Sequence, residues 1–560
     1  MWFHKSEQPF RMEKTENGAR LIRYAGKEET VVIPSEFDGE PVTAIADSAF
    51  YDNSKVAEVE IPDSVTEIGM NAFRGMKNLT RVRLPKRLAR MGEHAFTGCQ
   101  KLMSIQFPEG FTSIPAGSFA KCASLTEIRL PDSVTEVGEE AFLQCSKLIS
   151  ADLGAGVQSL GEDAFRGCAP TLCVIIPETL KTVSEKTLAG CDRVYARVPG
   201  GLMLKYYTGH EQVVRLDDEC AGLPVVAIGP RVFEMFAYLK EIKLPKNLVS
   251  IGEGCFAGCS GLKKVEFPET LKEIGKMAFF VRGLERARRG MEDQDGLNEI
   301  ALPASVESLG DHAFYGHINM KSLTLSAPIP RAGTGVFGRC GMETVRLPEG
   351  TAEIQTEMFR GCAELKEVIL PETVESVWEF AFAECEKLNR LVLPRNLEVI
   401  GEFAFLNDVS LTEIQIPEKA RAIGHGAFAG CDSLEKIEVH PGNAIFEVSD
   451  GLLINRAENR LCLCVLANRK GSVSIPYGIE TVDAYAFSER AEIESVTIPA
   501  TVKCVGECAF AGCAALRKIV CEGTVESVGE FALQRTSDVQ IVADEDTKQK
   551  FMTSAQAEEE

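Results

Sequence analysis

Leu125–Cys145 reads LTEIRLPDSVTEVGEEAFLQC, and Leu79–Cys99 reads LTRVRLPKRLARMGEHAFTGC. In the first stretch Leu125, Ile128 and Leu130 point one way and Glu127 and Arg129 the other, the alternation of a short half-buried strand. Pro131 has no N–H and ends that strand's pairing. Asp132–Val134 turns the chain, Val134 and Val137 return to the core, and Gly138 permits a tight bend. Ala141, Phe142 and Cys145 then point inward from a short helical or irregular segment.

The same unit recurs along the chain. A phenylalanine column runs through Phe50, Phe73, Phe96, Phe119, Phe142 and Phe165, with Leu188 next in the same place. It resumes at Phe233, Phe256, Phe279, Phe314, Phe337, Phe359, Phe382, Phe405, Phe428, Phe487 and Phe510, and ends at Leu533; most neighbours stand 23 residues apart. Prolines keep step, Pro62, Pro85, Pro108 and Pro131 among them. Self-similarity at a fixed period of this length predicts a solenoid in which each unit covers its neighbour's apolar face and the strands form one parallel sheet.

These LTEIxLPxSVxxIGxxAFxGC units, over about residues 17 to 543, resemble leucine-rich repeats of the bacterial BspA-like subclass. Tyr24–Phe50 is similar to the opening unit of such proteins, and Phe446–Pro476 to a hairpin insertion they often carry. The resemblance implies an α/β repeat solenoid, with short parallel strands on a concave face and short helical or irregular segments on the convex one. Because the family is defined by its scaffold, the resemblance implies the fold far more than the function; its secreted members are associated with adhesion and host contact.

The expected organisation is an N-terminal extension (1–16), a first repeat block with its opening unit (17–199) and a second block (200–543). Residues 200–233 parallel Tyr24–Phe50, so the chain is either one continuous solenoid or two abutting ones related by duplication. The second block carries a hairpin insertion at 446–475 and a loop insertion at 281–296. In that loop Arg286, Arg288 and Arg289 adjoin Glu292, Asp293 and Asp295; it reads as a solvated loop or short helix, with a docking loop as the functional alternative. An acidic tail (544–560) follows.

Composition narrows the function. The chain has 560 residues, 45% hydrophobic and 25% charged, with a net charge of −22. That balance opposes nucleic acid and anionic membranes, because phosphate contacts need clustered Lys and Arg. No apolar run approaches the roughly 20 residues of a membrane span. No signal peptide is read at the start, which points to a cytoplasmic protein, with an extracellular or cell-surface adhesin as the alternative.

Of 19 cysteines, 11 stand three residues after the Phe column: Cys99, Cys122, Cys145, Cys168, Cys191, Cys259, Cys340, Cys362, Cys385, Cys431 and Cys513. A 23-residue period is the repeat's own and matches no zinc spacing. Met76, His317, Asp408 and Arg490 share the column, which a ligand position would not tolerate. Buried free thiols are expected, with no native disulfide; Cys462 and Cys464, on one face of the inserted hairpin, are the pair to check for metal. The seven histidines are scattered, and no triad order, nucleophile elbow, phosphate loop or zinc-protease signature is present. Neither catalysis nor a cofactor is expected.

Binding sites are expected where units leave the consensus. Outward strand positions are mostly charged or polar, as at Glu58/Glu60, Arg81/Arg83 and Glu127/Arg129, and bring opposite charges side by side. Ile369 and Val392 break that pattern in adjacent units, and Tyr195 with Arg197 is a further candidate. On the other side Trp378 replaces a glycine, while Phe380 and Phe403 stand where other units place Glu140, Asp163, His94 or Gly426. Aromatic clusters of this kind are enriched at interfaces, and packing of one ring on another is the structural alternative. The expected partner is a protein, or a second copy of this chain.

Overall fold

A computed structural model describes residues 9–180, 186–187, 189–282, 296–465, 471–536 and 538–555. Leu188, most of the loop insertion and the last five residues lie outside these. The chain divides into two compact units, Met1–Glu211 with Asp217–Val232, and Gln212–Leu216 with Phe233–Glu560.

Most repeats contribute two strands, one to each of two sets of parallel ladders. In the first unit Glu127–Arg129 pairs with Ser150–Asp152, and that with Cys173–Ile176, residue for residue at the repeat spacing. Glu136–Val137 likewise follows Ser113–Ile114 and precedes Ser159–Leu160. In most three-residue strands the central residue is buried and its neighbours face out, as at Glu127–Ile128–Arg129. Of the outward positions read from the sequence, Glu58, Glu60, Arg81, Arg83, Glu127, Arg129 and Val392 are exposed, Ile369 is half-buried and Tyr195 is buried. Glycine after the second strand is dictated by contact: a Cβ on Gly138 would lie 2.5 Å from the backbone nitrogen of Ala116 in the turn before.

The core of both units is a stack of rings. Phe50, Phe73, Phe96, Phe119, Phe142 and Phe165 lie with consecutive centroids 5.0, 4.9, 5.4, 5.6 and 5.4 Å apart, their planes nearly parallel after the first pair. Tyr24 heads that stack. In the second unit the same stacking runs from Phe233 to Phe428 and again between Phe487 and Phe510.

The AF segments, for which helix was one reading, are tight turns. Their backbone takes left-handed φ two residues before the Phe column, as at Asn71, His94, Glu140 and Asp163, and two residues after it at many turns. Such φ values disfavour most side chains and suit Gly, Asn and Asp best. Among the described residues the only helix is Glu545–Ala555, in the stretch whose charge suggested a tail. Asp544 caps it by accepting the Thr547 N–H (2.9 Å), and Phe551 is fully buried. Thr547 and Ser554 accept the Val525 and Ala532 N–H groups of the last turns, so the helix closes this end of the core.

The cysteine column has a hydrogen-bonding reason. Ten of the eleven thiols, all but Cys191, donate to the carbonyl of the Phe in the turn before, from Cys99 to Phe73 (3.3 Å) to Cys513 to Phe487 (3.0 Å). Burial pushes most of these thiols up, Cys122 to about 12 and Cys385 well above the ordinary value, which keeps them protonated donors, whereas the hydrogen bond with Cys145 lowers Cys168. Arg490 does the same work from the same column, its Nε donating to the Cys464 carbonyl at 2.8 Å.

Candidate interaction site

Outward charges on the strand face of the second unit neutralise one another. Glu367, Arg390, Glu413 and Lys436 alternate in sign along one row, with Arg390–Glu367 at 3.8 Å and Lys436–Glu413 at 3.9 Å. Lys436 also reaches Glu438 at 2.8 Å. The neighbouring row is Arg346, Ile369, Val392, Gln415 and Glu438. Ile369 is half-buried, whereas Val392 is 81% exposed.

Val392 also stands at a break in the ladder. Thr344–Arg346, Glu367–Ile369 and Arg390–Leu391 form one sheet, and Glu413–Ile416 with Lys436–Val439 another. Between them opens a cavity of about 260 Å³, lined by Leu391, Val392, Leu393, Ile414, Gln415 and the Lys436–Glu438 pair. Polar groups of Glu413, Gln415, Lys436 and Glu438 supply most of its lining, beside the Val392 side chain.

Trp378, Phe380 and Phe403 lie elsewhere, in the turn segments. Phe380 and Phe403 stack at 5.1 Å, and Phe403 meets Tyr485 edge-on at 5.2 Å. Gly426 lies between those two turns and makes this possible, since a Cβ there would come within 2.5 Å of the Phe403 ring. The Arg360 guanidinium sits 5.1 Å from the Phe380 ring centre and is held by Glu357 (2.7 Å) and Glu384 (3.0 Å). Trp378 Nε1 donates to Glu353 at 3.3 Å. All three aromatics are half-buried. The five predicted residues thus form two groups, one on the strand face and one on the turn face.

Tyr195 is not a surface candidate: it is 1% exposed, its strand covered on one side by Cys173–Ile176 and on the other by Gly201–Tyr207. Arg197 pairs with Asp152 at 2.5 Å instead. The expectation of no disulfide also needs correction. Cys173 and Cys220 form one, with Cα atoms 6.3 Å apart, whereas all eleven column cysteines are free. Among the described residues no group of three or more His, Cys, Asp or Glu side chains is arranged to hold a metal ion, Cys462 and Cys464 included.

One polar cluster went unread. Asp483 occupies the glycine column, is buried, and pairs with Arg460 (2.9 Å) and with Nδ1 of His425 (3.2 Å). Arg460 comes from the inserted hairpin, donates to the Ile423 carbonyl (3.2 Å) and reaches Glu458 at 2.9 Å. The Asp483 carboxylate pushes His425 above its ordinary value, against partial burial. The readable signal was an acid in a column otherwise rich in glycine.

A profile described as BspA type leucine rich repeat region, in six copies, matches residues 43–172, 226–288, 292–405, 331–450 and 468–555. The chain belongs to the BspA-type leucine-rich-repeat family. Among solved structures it is similar to a leucine-rich repeat protein from Bacteroides ovatus, at 25% identity over 78% of this chain and 94% of that one, with a TM-score of 0.33. A leucine rich cell surface protein from Faecalibacterium prausnitzii matches at 22% identity over 78% and 95%, TM-score 0.29. The pneumococcal vaccine antigen PcpA matches at 17% over 74% and 98%, TM-score 0.22. No curated protein matches. Among the described residues no helix is long and apolar enough to cross a membrane.

Proposed function

We propose that this BspA-type chain is a non-enzymatic scaffold that binds another protein through the strand face of its second unit. Val392 is the apolar anchor, Ile369 its neighbour, and the adjoining cavity receives a side chain of the partner. The observation that carries this is the 81% exposure of Val392 inside a face whose charges are already paired. Exposed apolar area in a charged surround marks contact sites, and a neutral rim repels neither sign of partner. Trp378, Phe380 and Phe403 offer a second surface, toward the same partner or another copy. Nucleic acid does not fit the net charge of −22, and no resident cofactor is needed.

The test is capture on the immobilised full chain, comparing wild type with Val392→Glu. A protein retained by the first and lost from the second supports the reading; equal retention by both removes Val392 from it. A second reading, display outside the cell, draws its support from the Cys173–Cys220 disulfide, because such bonds persist in oxidising surroundings.

A further inference from the structure

The column accounts for eleven cysteines but not for Cys173 or Cys220. Cys173 opens the strand Cys173–Ile176 in the position that Glu127 and Ser150 occupy in the two preceding turns. Its side chain therefore belongs to the strand face, not to the ring stack. Cys220 lies on the short hairpin Glu219–Cys220/Leu223–Pro224 of the second opening unit. The pair is separated by 47 residues, and both members are nearly buried, at 7% and 5% exposure.

The first opening unit shows what this position normally holds. The two opening units correspond at one constant separation. Tyr24 and Tyr207 each donate their hydroxyl to a glutamate four residues on, Glu28 and Glu211. Both carry the same register shift, between Arg11 and Met12 and between Val194 and Tyr195. Glu36–Phe37 pairs with Glu40–Pro41 as Glu219–Cys220 pairs with Leu223–Pro224. Cys220 thus stands where the first copy has Phe37, a residue packed on the core. A cysteine occurs at this place in the copy that follows a repeat turn, and that turn carries the facing cysteine. Arg193, one strand further on, forms an ion pair with Asp217 beside the same hairpin.

We infer that Cys173–Cys220 is a functional crosslink that locks the second opening unit onto the preceding turn, formed when the chain folds in a thiol-oxidising compartment. A thiolate of one cysteine attacks the disulfide of a dithiol oxidoreductase, giving a mixed disulfide and releasing one thiol of that protein. The second thiolate displaces the remaining sulfur. Two protons and two electrons pass from the cysteine pair to the oxidant, which leaves as a dithiol. Burial then shields the bond from reductants. Column thiols such as Cys99 and Cys122 take no part, because burial holds them as protonated donors to backbone carbonyls.

The test uses the full chain, refolded with a glutathione redox couple, alkylated under denaturation and analysed by peptide mass spectrometry. Cys173 and Cys220 should appear as one linked pair, with the column cysteines alkylated. Reduction of the folded wild type should lower its melting temperature by several degrees, while Cys173→Ser and Cys220→Ser melt at the reduced value and ignore reductant. Recovery of Cys173 and Cys220 as alkylated thiols, or linked to other cysteines, would overturn the inference. A melting temperature unchanged by reduction of a confirmed link would overturn the locking role.

Discussion

At the residue scale, what matters is which column a side chain occupies. Phe142 is fully buried between Phe119 and Phe165, so Phe142→Ala opens a cavity on both sides and should cost about 3–5 kcal/mol in denaturant unfolding. Glu127 is exposed, and Glu127→Ala should cost well under about 1 kcal/mol; equal losses would mean the faces are misassigned. Asp408 shows the donor logic of the thiol column from the other direction. Its Oδ1 accepts the Cys385 N–H at 2.9 Å, while Oδ2, as a carboxylate, is buried without a partner. In this column the register points to the Phe382 carbonyl, which a protonated Oδ2 can satisfy as a thiol would. Burial pushes the acid far up, with Cys385, Cys431 and Glu384 around it. A raised carboxyl stabilises the fold at low pH and loses that contribution as pH climbs from about 4 toward its folded value. Asp408→Asn keeps donor and acceptor without the proton. Its melting temperature should overtake that of the wild type increasingly as pH rises; parallel pH profiles would show Asp408 to be ionised in the fold.

At the scale of the element, the strand, the proline stop and the ring stack could be read directly, because each is a side-chain pattern repeated many times over. The turns could not, since their defining property is a left-handed backbone rather than a polarity. Asn71, Asp163 and Gly426 in one column were the available hint, and Phe380 and Phe403 tolerate that φ where each ring gains a stacking partner. The C-terminal helix was hidden because eleven residues with one buried aromatic look like a charged tail. The Asp483 cluster was missed because its members come from three separate segments. It predicts a pH effect: with Asp483, Arg460 and Glu402 facing it, His425 gains a folded value above about 6.5. The charged pair therefore stabilises fully below that pH and fades as pH rises through the higher folded value. His425→Gln should melt below wild type at pH 5–6 and converge with it well above neutrality. A constant difference across that range would remove the ion pair from the account.

At the scale of the whole molecule, nearly every repeat residue serves its neighbours, and the proposed binding falls where a column is broken without loss of packing. Val392 is such a place on the strand face; Phe380 and Phe403 are one on the turn face, but their rings are already engaged with Arg360 and Tyr485. The most direct measurement is titration calorimetry of the captured partner against three full-length chains: wild type, Ile369→Glu with Val392→Glu, and Phe380→Glu with Phe403→Asp. The account predicts that the first pair weakens binding by at least about 2 kcal/mol while the melting temperature hardly moves. Undiminished affinity of the Ile369/Val392 variant would contradict it, as would a loss of affinity matched by unfolding.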